Sequence, residues 1–160
     1  MYIEMDGWRL GIHFSSCHMV PGHTKCGRFH GHVYSVRIRI HGDTQDNGMI
    51  VDFHYVKDSI KKAVNKLDHR VILPLPETTN RMVVEDDGKS VYVKFDEKKY
   101  MFPKEDCVMI PVNVPTAEEI CKVFIKWIAD DLRQFSNIEI IELSIDEGRG
   151  QGVWSSLKLK

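Results

Sequence analysis

The chain has 160 residues, a length typical of one domain with a single substantial core. Twenty-two basic residues against 23 acidic ones give a net charge of -1, which provides no electrostatic reason to expect a nucleic acid or a membrane surface as partner. The N-terminus lacks the features of a signal peptide, and no apolar run approaches the roughly 20 residues of a membrane span. The four cysteines form no CxxC pair, which favours a reducing compartment. We therefore expect a cytoplasmic protein whose residues 1–160 form one domain.

Two predicted strands in the first part of the chain bring three histidines together. Residues 8–14 alternate apolar and polar side chains, which predicts a strand with His18 just beyond its apolar part. Alternation resumes over residues 34–40 and predicts a second strand, with His30 and His32 near its start. If the two strands pair antiparallel, all three histidines share one end of the sheet.

Two helices are predicted in the rest of the chain. Asp52 fits the N-cap of a helix that ends near residues 68–69, and Thr116 begins a capping-box pattern before a helix with a wide apolar face. Residues 91–102 alternate around a charged turn, which predicts a hairpin insertion near residues 78–103 beside the main sheet. Further strands are predicted over residues 108–112, 138–145 and 153–160. This order favours an α+β domain with an antiparallel sheet and both helices on one face.

His30 and His32 are candidate metal ligands because side chains two residues apart on a strand point to the same face. Three neutral imidazoles suit zinc, and a three-histidine site leaves a fourth position open, as in catalytic sites. His13 and His23 compete with His18 as third ligand. His13 is expected on the opposite strand face and His23 in a loop, so both rank below His18. The alternative is that these histidines are ordinary polar residues at strand ends.

Four further features have both a functional and a structural interpretation. Cys26 is a metal ligand, an inert thiol or an activated base, and spacing alone does not decide among these. Asp68 and His69 form either an ordinary helix end or a carboxylate that orients an imidazole for proton transfer. Glu118 lies in a first helical turn, where carboxylates are favoured for structural reasons. Glu147 follows an apolar strand face and would suit a ligand with adjacent N–H donors, unless it is a solvated strand end.

Together, five motifs resemble the 6-pyruvoyl-tetrahydropterin synthase and 6-carboxy-tetrahydropterin synthase family over nearly the whole chain. They are Phe14-Ser-Ser-Cys-His18, Cys26 with three residues before His30-Gly-His32, Leu67-Asp-His69, Pro115-Thr-Ala-Glu118 and Ile145-Asp-Glu147-Gly. The most specific of these motifs is the one in which three residues separate a cysteine from His-Gly-His. The chain departs from compact members in its longer segment 78–103, and it has Gly148 where many relatives have threonine.

The resemblance implies the tunnelling fold, in which an antiparallel sheet carries two helices on one face and subunits join their sheets into a barrel. It implies a homo-oligomer, a hexamer built as a dimer of trimers, with active sites between subunits and a small pterin as substrate. The roles it implies are zinc binding by His18, His30 and His32, base catalysis by Cys26, proton relay by Asp68 and His69, pterin anchoring by Glu147 and further substrate binding by Glu118 and Thr116.

The spacing between Cys26 and His30 resembles the 6-carboxy enzymes, which break a side-chain carbon–carbon bond of 7,8-dihydroneopterin triphosphate on the way to the 7-deazaguanine nucleosides queuosine and archaeosine. The 6-pyruvoyl enzymes eliminate triphosphate from the same substrate and tend to have a longer spacing, so we favour the 6-carboxy reaction. Two hypotheses come from other classes of protein. A zinc hydrolase would use the same histidines without Cys26, and a binding module would need its metal for folding.

Overall fold

The computed structural model describes all 160 residues. It contains a seven-stranded sheet, a separate three-stranded sheet, three α-helices and a short 3-10 helix, Lys104–Asp106. The strands are β1 Tyr2–Asp6, β2 His13–His18, β3 His30–Gly42, β4 Arg70–Pro74, β5 Val83–Asp86, β6 Ser90–Phe95, β7 Lys98–Pro103, β8 Cys107–Ile110, β9 Ile138–Asp146 and β10 Gly152–Lys158; the helices are α1 Gly7–Leu10, α2 Phe53–Leu67 and α3 Ala117–Leu132. The larger sheet has the order β10-β9-β3-β2-β4-β8, and β1 also pairs with β3. None of the helices is long and apolar enough to cross a bilayer.

The long strand β3 organises the larger sheet. It pairs with β9 on one side, and on the other side with β2 along its first half and β1 along its second half. Val36, Ile38 and Ile40 alternate with polar residues, and all three are at most 1% exposed. They belong to a core of 29 residues that includes the buried faces of α2 and α3. Both helices thus pack on one face of this sheet, and Asp52 and Thr116 cap them as predicted.

The prediction of a purely antiparallel sheet is wrong at β4, which pairs parallel to both β2 and β8. The connection from β2 to β4 includes β3 and α2, so it has the length that a parallel pair requires. The sequence of β4 contains a signal for this arrangement, because Val71, Ile72 and Leu73 are consecutive apolar residues, as in strands covered on both faces. Ile72 lies in the main core, whereas Val71 and Leu73 belong to a second core of eight residues.

Of the strand predicted over residues 8–14, only His13 and Phe14 lie in a strand, as the first two residues of β2. The carboxylate of Asp6 accepts hydrogen bonds from the backbone N–H groups of Trp8 and Arg9, at 2.9 and 3.4 Å, and thereby caps a single helical turn, α1. Gly11 ends this turn with a φ of +68°, which favours glycine. The structure therefore has three α-helices where two were predicted, and Leu10 is 45% exposed.

Strands β5, β6 and β7 form the three-stranded sheet, here called the outer sheet. The hairpin predicted over residues 91–102 corresponds to β6 and β7, and β5 is an additional strand. Buried residues of the outer sheet form the second core together with Met19, Val71, Leu73 and Met82. Because Val71 and Leu73 point away from the main core, the outer sheet covers part of the face that the helices leave open.

Candidate metal and substrate site

The pairing of β2 with β3 brings three histidines to one end of the larger sheet, as predicted. His18 lies opposite His30, and Ser16 lies opposite His32, so the three imidazoles share one face. One ligand atom from each histidine lies within 4.8 Å of the other two. This spacing lets a single metal ion contact all three side chains.

Backbone carbonyl groups orient two of the three rings. Nδ1 of His18 lies 2.6 Å from the carbonyl oxygen of Pro115, and Nδ1 of His30 lies 2.7 Å from that of Arg28. A carbonyl oxygen only accepts, so the network assigns the proton to Nδ1 and leaves a lone pair on each Nε2. Both Nε2 atoms are buried without a hydrogen-bond partner. Buried nitrogens with unused lone pairs fit a metal ion, and the group of three histidines could bind one.

His18 is held in the form that binds metal. Its side chain is 2% exposed, and burial lowers its pKa to about 4, opposed by the Pro115 carbonyl and assisted by His30 and His32. The ring is therefore neutral at pH 7, as a metal ligand must be.

Glu147 lies beside the histidine cluster, just past the end of β9. Its Oε1 atom is 3.9 Å from Nε2 of His18 and also 3.9 Å from Nε2 of His32. Glu147 and Glu118 together line a cleft of about 300 Å³ between the start of α3 and the start of β10. Two carboxylates in one cleft can accept hydrogen bonds from a ligand that presents several N–H groups.

Thr116 has a structural role as the N-cap of α3. Its hydroxyl accepts a hydrogen bond from the backbone N–H of Glu119 at 3.4 Å and so caps α3. In a complete capping box, the carboxylate of Glu119 would accept a hydrogen bond from the backbone N–H of Thr116. Here that carboxylate instead binds Nζ of Lys122 at 2.5 Å. Thr116 does not line the cleft of Glu147 and Glu118, so its predicted contact with substrate stays a prediction.

Asp68 and His69 form a pair directly after α2. Nδ1 of His69 lies 3.0 Å from one carboxylate oxygen of Asp68, and the other oxygen accepts the backbone N–H of Ser15 at 2.9 Å. Partial burial raises the pKa of Asp68, but the hydrogen bonds from Ser15 and His69 outweigh it and hold this pKa below its usual value. The His69 side chain is 82% exposed, so an oriented imidazole is presented to the surroundings.

A cleft of about 550 Å³ between β2, β3 and β4 is lined by both His32 and His69. One chain therefore brings His69 and one residue of the histidine cluster to the same cavity. Cys26 does not line this cleft, whereas Cys17 does. Cys17 was not among the predicted site residues. Strand alternation places its side chain on the opposite face of β2 from that of its neighbour His18.

Cys26 lies in the loop of residues 19–29, which connects β2 to β3. Its backbone N–H donates to Nδ1 of His23 at 2.9 Å, and its carbonyl accepts from Val20 at 2.8 Å. His23 thus stabilises the loop and is not part of the histidine cluster. His13 is exposed on the other face of β2, as expected.

Comparisons with known proteins identify the family of this chain. Residues 9–156 match the family model described as 6-pyruvoyl tetrahydropterin synthase. The chain is 39% identical over 155 residues to a Methanocaldococcus jannaschii protein provisionally named 6-carboxy-5,6,7,8-tetrahydropterin synthase, covering 95% of this chain and 94% of that protein. It is 29% identical over 136 residues to the Haemophilus influenzae 6-carboxy-5,6,7,8-tetrahydropterin synthase, covering 81% and 86%.

The fold also matches a solved structure. A catalytic-residue mutant of Plasmodium vivax 6-pyruvoyltetrahydropterin synthase superposes with a TM-score of 0.90 at 23% identity, covering 99% of this chain and 98% of that chain. This likeness shows the fold, and the family-model match extends over nearly the whole chain. The chain therefore belongs to the 6-pyruvoyl tetrahydropterin synthase family.

Proposed function

We propose that this chain is a zinc-dependent 6-carboxy-5,6,7,8-tetrahydropterin synthase. In this proposal it is a lyase that converts 7,8-dihydroneopterin triphosphate to 6-carboxytetrahydropterin in 7-deazaguanine biosynthesis. The observation that carries the proposal is the cluster of three histidines beside Glu147, in a chain 39% identical to a relative of that name. The three-residue spacing between Cys26 and His30 supports the same choice.

Zinc is the ion that suits three neutral imidazoles with an open fourth position. His18, His30 and His32 would hold it, and zinc would supply a Lewis acid that polarises oxygen atoms of the substrate side chain. The carbonyl groups of Pro115 and Arg28 keep two of the rings oriented for binding.

Glu147 and Glu118 would bind the pterin ring. Carboxylate oxygens accept the hydrogen bonds of the ring N–H and exocyclic amino groups, and these two share one cleft. Because Glu147 lies 3.9 Å from the histidine nitrogens, a ring bound there would extend its side chain toward His18 and His32. Thr116 would assist at the edge of this cleft.

Cys26 and His69 would act as the two proton-transfer groups. Cys26 as thiolate would remove a proton from one face of the substrate, and His69, oriented by Asp68, would deliver or remove one on the other face. Proton transfers between ring and side chain reduce the pterin internally, so no nicotinamide is required.

Assembly would bring these two groups together. Cys26 does not line the cleft of His69 within one chain, so we propose that a second copy supplies one of them. Strands β8 and β10 lie at the two edges of the larger sheet, where neighbouring sheets could join into a barrel. A hexamer built as a dimer of trimers would satisfy both requirements.

Elimination of triphosphate to a 6-pyruvoyl product is the second candidate, because the matching family model has that name. Incubation of the purified protein with 7,8-dihydroneopterin triphosphate, followed by mass spectrometry and an acetaldehyde assay, separates the two reactions. We expect 6-carboxytetrahydropterin, acetaldehyde and free triphosphate, because the two carbons that leave as acetaldehyde include the one that carries the triphosphate. A 6-pyruvoyl product without acetaldehyde would assign the second reaction. If neither product forms, both candidate functions are rejected.

Three variants test the assigned roles in the same assay. Cys26→Ala is expected to lower kcat by about 10²- to 10⁴-fold, the usual contribution of a general base, while metal content stays unchanged. His30→Ala is expected to lose the metal, measured by elemental analysis. His54→Ala, at an exposed position of α2, is the control and should alter neither quantity. Full synthase activity of Cys26→Ala would show that the thiol is not the base.

A further inference from the structure

The outer sheet contacts the loop of residues 19–29 at both ends. Met19, at the start of the loop, is fully buried in the second core. The ring of Phe29, at the end of the loop, lies against Tyr100 and Phe102 of β7, with centroid distances of 6.3 and 5.4 Å. Both ends of the segment that carries Cys26 therefore rest on the outer sheet or its core.

Two cationic side chains bind backbone carbonyl groups inside this loop. Lys98 of β7 donates from Nζ to the carbonyl oxygen of Gly27 at 2.5 Å, next to Cys26 along the chain. Arg81, which precedes β5, donates from Nη2 to the carbonyl oxygen of Pro21 at 3.2 Å. Hydrogen bonds from charged donors are roughly twice as strong as those between neutral groups.

Neighbouring residues accommodate both cationic side chains. The ammonium group of Lys98 lies 5.5 Å from the ring centroid of Phe95, which is 4% exposed in the second core. Arg81 approaches the loop where glycine leaves room, because a Cβ atom on Gly22 would lie 2.9 Å from Nη2. Lys98 of the outer sheet and Arg81 just before it thus both donate to the loop.

We propose that the outer sheet clamps the loop of residues 19–29, with Lys98 and Arg81 as positioning residues for the thiol of Cys26. The loop's own hydrogen bonds around this residue run mainly through His23, which accepts from the N–H groups of Cys26 and Gly27. The hydrogen bonds of Lys98 and Arg81 connect this turn to the outer sheet and to the residue segment just before it. The role given to Cys26 rests on the proposed function, whereas the clamp rests on the contacts alone.

The test compares Lys98→Met with two matched variants. Lys98→Arg keeps a cationic donor, and Lys99→Met makes the same change at an exposed neighbour on the same strand. Amide hydrogen exchange of the peptide that spans residues 19–29 is measured for each variant. We expect exchange to accelerate by about tenfold in Lys98→Met, as for loss of one charge-assisted hydrogen bond, and to stay unchanged in Lys99→Met.

Kinetics with 7,8-dihydroneopterin triphosphate give a second readout. The assays contain saturating zinc, because the loop also supplies the Arg28 carbonyl that orients His30. In Lys98→Met we expect kcat to fall by about 10- to 100-fold, as for a misplaced catalytic group, with KM nearly unchanged because Glu147 lies outside the loop. Lys98→Arg is expected to restore most of this activity.

The outcomes separate this inference from the proposed function. Unchanged exchange and unchanged kcat in Lys98→Met would overturn the clamp, even if the wild type is an active synthase. A wild type without synthase activity would remove the role of Cys26, while the exchange comparison would still decide whether the clamp exists. If Lys98→Met does not fold, Arg81→Met at the other end of the loop is measured in its place and decides by the same criteria.

Discussion

At the scale of single residues, Asp68 connects the end of α2 to β2 and to His69. Its two oxygens accept from Ser15 and pair with His69, at 2.9 and 3.0 Å. Partial burial opposes ionisation, but these bonds outweigh it and lower the pKa of the carboxyl. A carboxyl whose pKa is lower in the folded protein stabilises the fold at pH values above its pKa in the unfolded chain, about 3.9. This stabilisation is lost as the pH falls through the pKa of the folded state.

We expect Asp68→Asn to remove this pH-dependent stabilisation. The amide oxygen can still accept from Ser15, so the loss comes mainly from the charge. The difference in free energy of unfolding between wild type and variant should shrink as pH falls from about 5 to about 3, measured by urea unfolding. Asp58→Asn, at an exposed position of α2, should show no such trend. A wild-type–Asp68→Asn difference that stays constant over this range would contradict the assignment.

The sequence predicts the histidine cluster because strand geometry determines it. A spacing of two residues places His30 and His32 on one face, and antiparallel pairing adds His18. The groups that orient the rings leave no such signal, because they are backbone carbonyls, and that of Pro115 comes from 97 residues away along the chain. Side-chain patterns carry no information on these contacts.

At the scale of elements, the start of β10 packs against a buried carboxylate at the end of β9. Asp146 is 2% exposed and accepts hydrogen bonds from Trp8, Arg37 and Ser144. Gly152 lies opposite it, and a Cβ atom there would lie 2.0 Å from a carboxylate oxygen of Asp146. Such an approach is possible only without a side chain, which explains the glycine.

Gly152→Ala is expected to displace the Asp146 carboxylate and lower the free energy of unfolding by about 1–3 kcal/mol, as for other overpacked sites. Since Glu147 follows Asp146 directly, KM for the pterin should also rise. Chemical unfolding and steady-state kinetics measure the two effects. Ser156→Ala changes an exposed residue of the same strand and should be neutral. Equal stability of the two variants would show that the Asp146 network tolerates displacement.

The sequence predicts β3, α2 and α3 because each has a regular apolar period and the helices have caps. It does not predict α1, because residues 8–14 alternate as a strand does while the Asp6 cap and Gly11 impose a helical turn. The parallel pairing of β4 is missed for another reason. Its short apolar run fits several arrangements, and only the packing of the outer sheet shows which face each residue occupies.

At the scale of the whole molecule, the histidine cluster borders the main core, because the ring of the core residue Tyr34 lies 6.1 Å from that of His18 and 5.5 Å from that of His32. The core itself consists of 29 apolar residues, whose packing holds the sheet and helices together without a metal ion. Removal of the metal with a chelator should therefore abolish activity while the far-UV circular dichroism spectrum and a cooperative thermal transition persist. Loss of that transition would identify a structural metal and favour a binding module.

The existence of two cores has a further consequence for how the protein responds to heat. Packing around eight residues resists opening less than packing around 29, so we expect the outer sheet to unfold locally before the larger sheet does. Its opening would release Lys98 and Arg81 from the loop while the larger sheet keeps its histidines in register. Catalysis would then stop reversibly below the temperature at which the larger sheet unfolds, so the smaller core would set the upper thermal limit of activity.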